Sequence, residues 1–246
     1  MTGSDRTDEQ WRVRVELAAL YRLVAVHGWA DAIYTHISAR VPGMDDRFLI
    51  NPYGLYFDEI TASSLVEIDS EGRIRQETEA AVNPAGFTIH SAIHAARADA
   101  HFVMHLHTRD GIAVAAQNHG LLPLSQHALI VLPRLAYHEY EGIALDLDER
   151  SRLVADLADK QVMLLRNHGT LALGATAADC WNAMYYLERA CSIQIAALSG
   201  GLAHVRSAPP EAQATVARQI ANGTSAHLAW PGALRLLART GSDYAI

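Results

Sequence analysis

The stretch His101-Phe102-Val103-Met104-His105-Leu106-His107 reads as a strand in which successive side chains face opposite sides of a sheet. One face carries Phe102, Met104 and Leu106 and suits a core. The other carries Val103, His105 and His107. Two imidazoles side by side on one face are costly to bury unsatisfied, whereas a shared metal ion satisfies one nitrogen of each. A third imidazole is available downstream from His119, His127, His138 or His168. His168 stands out because it sits in the turn Arg166-Asn167-His168-Gly169, just past the apolar strand Val162–Leu165, where functional residues concentrate. Three neutral nitrogen ligands with positions left open describe a catalytic metal rather than a structural one.

Outward from this strand, helices and short strands alternate without internal repeats. Val13, Leu17, Leu20, Tyr21 and Val24 have helical spacing, which predicts a helix over residues 9–26 ending near Gly28. Strands are expected at 32–38, 47–51, 129–132 and 162–165, and a turn at Asn51-Pro52-Tyr53-Gly54. Further helices are expected at 87–97, at 109–117 with Thr108 as cap, at 149–159, and from a Thr176 cap through Leu198 to the Gly200-Gly201 stop. The tail holds an expected helix at 211–221 and a break at Trp230-Pro231 before more helix. Trp230, Leu234, Leu236 and Leu237 would leave a sizeable apolar patch if exposed, so residues 205–246 read as a helical extension packed on domain 1–204 or on a neighbouring subunit.

A chain of 246 residues, 50% hydrophobic and 19% charged, is long enough for one large domain with a buried core. The net charge of -7 and the lack of a basic cluster argue against nucleic acid as a partner. Cys180 and Cys191 fall in one expected helix and cannot easily meet, which favours a reducing compartment. With neither a signal segment nor a membrane span at the sequence level, the expected location is cytoplasmic.

Several separated motifs together resemble the class II aldolase/adducin family. These are Thr35-His36-Ile37-Ser38-Ala39-Arg40, Leu49-Ile50-Asn51-Pro52-Tyr53-Gly54, Ile60-Thr61-Ala62-Ser63-Ser64-Leu65, Asn83-Pro84-Ala85-Gly86-Phe87 with His90, His105-Leu106-His107 and Arg166-Asn167-His168-Gly169. The resemblance is closer to the adducin-like bacterial branch than to the sugar-phosphate aldolases. It implies an α/β fold with a central, mostly antiparallel sheet flanked by helices, commonly assembled as a homotetramer. It also implies that His105, His107 and His168 are the metal ligands, with zinc the expected ion and manganese or iron as alternatives.

Departures from the pattern bear on the chemistry. The sugar-phosphate aldolases of this family place an acid/base glutamate four residues before the helix histidine, and here that position is Gly86, which has no group to transfer a proton. Pro84 and Ala85, and Thr35-His36 upstream, replace the polar groups that hold a substrate phosphate in those aldolases, which disfavours a phosphorylated substrate. His36 and Tyr53, on motifs that approach this pocket in related proteins, are the leading substitutes: an imidazole moves protons near neutral pH and a phenol donates to an oxygen. Tyr137 and Glu139, in Tyr137-His138-Glu139-Tyr140-Glu141-Gly142, are further candidates across a subunit boundary. His90 and His94 share a helix face and read as packing residues.

Three functions follow as expectations. The first is a metal-dependent carbon-carbon lyase, aldolase- or decarboxylase-like, acting on a small non-phosphorylated hydroxy- or oxo-acid. The second is a non-haem iron oxygenase of the same fold. The third is a non-catalytic, adducin-like binding module.

Overall fold

Helix α1 (Asp8–Val26) begins in a reciprocal capping box, with the Thr7 side chain accepting the Gln10 N–H and the Gln10 side chain reaching back to the cap N–H. Its apolar face, including the fully buried Leu17, Leu20 and Val24, lies on the sheet. The computed structural model describes residues 7–142, 148–221, 223 and 225–246, and of residue 85 the backbone only.

Among the described residues the strands are β1 (His36–Val41), β2 (Met44–Ile50), β3 (Val66–Asp69), β4 (Phe102–Leu106), β5 (Leu135–His138), β6 (Val162–Leu165) and β7 (Gly169–Gly174). They form one sheet in the order β3-β2-β1-β4-β7-β6-β5, antiparallel at every pairing except β5 with β6. The mixed, mostly antiparallel sheet flanked by helices is the architecture that the family resemblance implies.

The period-2 alternation of the strands divides two cores. Phe102, Met104, Leu106, Val162, Leu164 and Ala172 face one side, which α1, α3 (Arg109–Ala115) and α6 (Ala177–Leu198) cover, with α4 (Gln126–Val131) and α8 (Ala226–Arg239) packed on α6. Val103, Met163, Leu165, Leu171 and Leu173 face the other, against Ile89 and Ile93 of α2 (Pro84–Ala96) and Leu153 and Leu157 of α5 (Glu149–Leu157). His105 follows the alternation onto the α2 side. The second face of β4 is therefore as buried as the first.

Tyr21 fastens α1 to the strand that carries His36. Its fully buried hydroxyl accepts the Ile37 and Asn51 N–H groups at 2.8 and 3.1 Å and donates to Asn51 Oδ1 at 2.8 Å. In the tail, α7 (Pro210–Ile220) touches α4, and α8 packs on α6 and α1 with Leu237 fully buried. The chain end is tied back as the Ala62 and Ser63 N–H groups donate to Tyr244 O and Ile246 O at 2.8 and 2.9 Å.

Three local expectations are corrected. Residues 129–132 are not a strand. They lie in α4 and the 3-10 turn Leu132–Arg134, because Ser125 caps the Ala128 N–H and opens a helix; the strand comes later, at Leu135–His138. The strand expected at 32–38 starts only at His36, since Tyr34 N–H closes a turn on Asp31 O and Ala32 and Thr35 are left-handed. Pro231 does not break the tail helix. It lies inside α8, where the only carbonyl its missing N–H deprives is that of exposed His227, while Ala233, Leu234 and Leu237 pack inward.

Between α6 and α3, Glu188 is 3% exposed and accepts the Thr108 and Thr170 hydroxyls at 2.6 and 2.7 Å beside a cavity of about 490 Å³. Burial pushes its carboxyl up to about 7, against the opposing hydroxyl bonds. A carboxyl raised in the folded state makes a contribution that is intact below its unfolded value near 4.5 and is lost as pH rises through about 7. Glu188→Gln removes that loss, so its melting temperature relative to the parent should rise between pH 5 and pH 8. A pH-independent difference in paired thermal melts would contradict this.

Candidate metal centre

The register of β1 on β4 places His36 directly across from His105, so both imidazoles lie on the α2 side of the sheet. His107 follows one residue after β4. His168 hangs from the turn joining β6 to β7, where its N–H donates to Leu165 O at 3.0 Å. Strain marks this backbone: Thr35 and Asn167, each just before a site histidine, have φ of +68° and +57°. For a β-branched threonine that conformation costs about 1–3 kcal/mol, and the surrounding fold must impose it. The buried Thr35 hydroxyl has no hydrogen-bond partner among the described residues.

One nitrogen from each of His105, His107 and His168 lies within 4.8 Å of the other two. The remaining nitrogens fix the tautomers. His105 Nδ1 is 3.0 Å from Thr170 O, an acceptor only, and His107 Nδ1 is 3.1 Å from an Asp31 carboxylate oxygen, so both Nδ1 atoms carry protons. Their Nε2 atoms then face each other at 3.1 Å with bare lone pairs. A cation between them and His168 resolves that repulsion, and the carbonyl and carboxylate behind the rings are the outer partners that ligating histidines use. Burial, then the neighbouring imidazoles, holds His105 well below the usual histidine range and His168 down to about 4, so both are neutral and able to ligate at pH 7. The three residues thus fit a divalent ion.

Two glycines make room for this arrangement. A Cβ at Gly169 would fall 2.4 Å from Leu106 O and 3.1–3.2 Å from the His107 and His105 rings. A Cβ at Gly86 would fall 2.6 Å from His36 Cδ2 and 3.1 Å from His36 Nε2. The His36 imidazole therefore fills the space beside Gly86, and a side chain there cannot coexist with this histidine in place. His36 is 3% exposed, its ring centroid is 5.1 Å from that of His105, and burial holds it well below the usual histidine range.

The other candidates are dispersed. Tyr53 is 38% exposed, pairs through its backbone with Ala81, and has no hydrogen bond or ring contact to the cluster among the described residues. Tyr137 is directed away: its hydroxyl accepts the Leu121 N–H at 2.9 Å and the Arg166 guanidinium covers its ring. Glu139 is 85% exposed, 3.8 Å from Arg166. Tyr140 instead reaches the centre, with its ring 6.3 Å from that of His168. Asp31 was not singled out from the sequence, whereas Tyr140 falls within the stretch 137–142 considered for the site, though not as one of its named candidates. Asp31 lies in a loop without a motif, and nothing in its spacing tells that it meets His107. His90 and His94 are buried as packing residues would be, yet both are hydrogen-bonded toward the site through His36 and Ser38.

Residues 15–195 match the family model for the Class II Aldolase and Adducin N-terminal domain. A Caulobacter vibrioides protein named for the class 2 aldolases is 61% identical over 97% of this chain and 94% of its own length. Alpha-adducin of Rattus norvegicus is 45% identical over 76% of this chain, a span that makes up 26% of the adducin. Among solved structures, L-fuculose 1-phosphate aldolase from Glaciozyma antarctica superposes with a TM-score of 0.84 at 25% identity, covering 96% of this chain and 92% of that one.

Gly86→Ala tests the shared space. Helix propensity alone would make the alanine more stable by about 1 kcal/mol, whereas overpacking against His36 costs about 1–3 kcal/mol. A lowered melting temperature is expected, and a raised one would show that His36 does not occupy this position.

Proposed function

The chain belongs to the class II aldolase and adducin family, and from that premise we propose that it is a metal-dependent carbon-carbon lyase acting on a small non-phosphorylated hydroxy- or oxo-acid. The observation that carries this reading is the pair of Nε2 lone pairs of His105 and His107, oriented at each other by Thr170 O and Asp31 and joined by His168. These three residues would hold a divalent ion, zinc by family resemblance. When bound, the ion supplies Lewis acidity toward substrate oxygens during carbon-carbon cleavage.

The rest of the chemistry falls to this chain's own residues. His36 stands in the space a family glutamate would need, and its imidazole is the group proposed to take the substrate proton. Burial, then the neighbouring histidines, holds its pKa down and keeps the imidazole uncharged in the resting protein, with a nitrogen lone pair free to accept a proton. Tyr140, whose ring lies 6.3 Å from that of His168, is proposed to donate to a substrate oxygen from the rim. Tyr53 and Glu139, exposed away from the cluster, are proposed to act only where a neighbouring subunit is present, in the homotetramer that the family resemblance implies. Tyr137 is proposed to hold the Leu121 loop, since its hydroxyl is already engaged.

A second reading, an adducin-like binding module, draws on the 45% identity to alpha-adducin. Metal analysis of protein purified without added metal separates the two, coupled to a screen of non-phosphorylated hydroxy- and oxo-acids with and without oxygen. Zinc or manganese with oxygen-independent cleavage is the expected result. Iron with oxygen uptake would assign an oxygenase instead, and protein without metal or turnover would favour the binding module. His168→Ala should abolish metal retention, whereas His36→Ala should keep the metal and lose turnover by about 10²–10⁴-fold. Equal loss of metal in both variants would remove His36 from the proposed role.

A further inference from the structure

Behind His36 a hydrogen-bonded chain runs into the protein. His36 Nδ1 is 2.8 Å from His90 Nε2, His90 Nδ1 is 2.5 Å from Ser38 Oγ, Ser38 Oγ is 2.7 Å from His94 Nε2, and His94 Nδ1 is 2.8 Å from Ala100 O. All four side chains are buried: Ser38 is fully so, His90 and His94 are each 1% exposed, and His36 is 3% exposed. Strand β1 supplies His36 and Ser38 from one face, and α2 supplies His90 and His94 one turn apart on its inner side. Phe48 stacks on His94 at 5.0 Å and holds the far end in place.

The last member of the chain gives it a direction. A backbone carbonyl only accepts, so His94 Nδ1 carries the proton, and in a neutral ring His94 Nε2 is then an acceptor. The single Ser38 hydroxyl proton must point at that nitrogen, which leaves Ser38 Oγ to accept from His90 Nδ1–H. His90 Nε2 is then bare and accepts His36 Nδ1–H. Reversing any one link would set two protons or two lone pairs against each other in a site shielded from water.

We propose that Ala100 O, His94, Ser38 and His90 form a tautomer-setting chain that presents His36 with an unprotonated Nε2 beside the three-histidine cluster. His90, Ser38 and His94 are thus positioning residues acting through His36. Resting on the lyase reading, this narrows its substrate class. A bare Nε2 can accept a hydrogen bond but cannot donate one, so the substrate group that meets it must carry a proton. A hydroxyl meets that requirement, whereas an ionised carboxylate or a keto oxygen presents only lone pairs. A hydroxy-acid is therefore selected over the corresponding oxo-acid at this position: the hydroxyl proton passes to His36 Nε2, the freed oxygen pair forms a new carbonyl, and the pair of the broken carbon-carbon bond stays on the departing carbon, which must adjoin a carbonyl or carboxyl group that holds it as an enolate.

The test is ¹⁵N NMR of the full chain labelled at histidine, metal-free and zinc-loaded, with His36 assigned by substitution and its two ring nitrogens read through long-range proton couplings. The expected result is one tautomer for His36, with Nδ1 protonated and Nε2 at the unprotonated position. Ser38→Ala should cut the chain and give a mixture of tautomers, while Ser38→Thr, which restores the hydroxyl, should return the single form. A protonated Nε2 or a mixture in the parent protein would overturn the proposal even if Ser38→Ala fails to fold, and so would a single unchanged tautomer in folded Ser38→Ala. Because the tautomer is read without turnover, its confirmation beside an inactive or metal-free protein would count against the lyase reading alone.

Discussion

The pairing of β1 with β4 is the constraint on which the site depends, because it sets His36 opposite His105 on a fully covered face of the sheet. A one-residue slip would turn both rings to the other face, among Ile37, Met104 and Leu106. The register is held from outside by Tyr21, whose hydroxyl binds the strand at Ile37 and the end of β2 at Asn51. It is held from within by the two apolar cores that the alternating side chains define. Once the register is set, several imidazoles are forced into one small volume. Each must then find a hydrogen-bond partner or a metal, since an unsatisfied buried imidazole is costly.

The protein meets that demand in two ways. His105 and His107 turn their Nδ1 protons outward to Thr170 O and Asp31 and leave lone pairs facing inward with His168. His36 turns its Nδ1 the other way, into the chain of His90, Ser38 and His94. The glycines at 86 and 169 are the steric counterpart, since a Cβ at either would collide with His36 or with Leu106 O beside His105 and His107. The absence of a side chain at Gly86 and the presence of an imidazole at His36 are thus one structural fact. The left-handed Thr35 and Asn167 show where the backbone bends to bring these rings in.

Much of this was legible in the sequence, for identifiable reasons. Alternation around His105 points to the strand, its two faces and the paired imidazoles, and the Gly-flanked turn points to His168, which the fold does bring to the other two. Thr108 and Thr176 announced their helices by side-chain capping and do cap them. The run Leu129–Leu132 was misleading because four apolar residues in a row suit a strand or a buried helix, and the Ser125 cap settles the choice. Asp31 and the bonding of His90 and His94 were not legible. Each depends on contacts between segments far apart in the chain, such as the 76 residues separating Asp31 from His107. Local periodicity carries no trace of such a meeting.

X-ray absorption spectroscopy of the zinc-loaded protein tests the central claim most directly, since it reads the atoms around the ion without reference to any substrate. Three imidazole nitrogens at about 2.0–2.1 Å, completed by light oxygen scatterers, are the expected first shell. A sulfur scatterer at about 2.3 Å, or a shell with fewer than three imidazoles, would contradict a centre built from His105, His107 and His168.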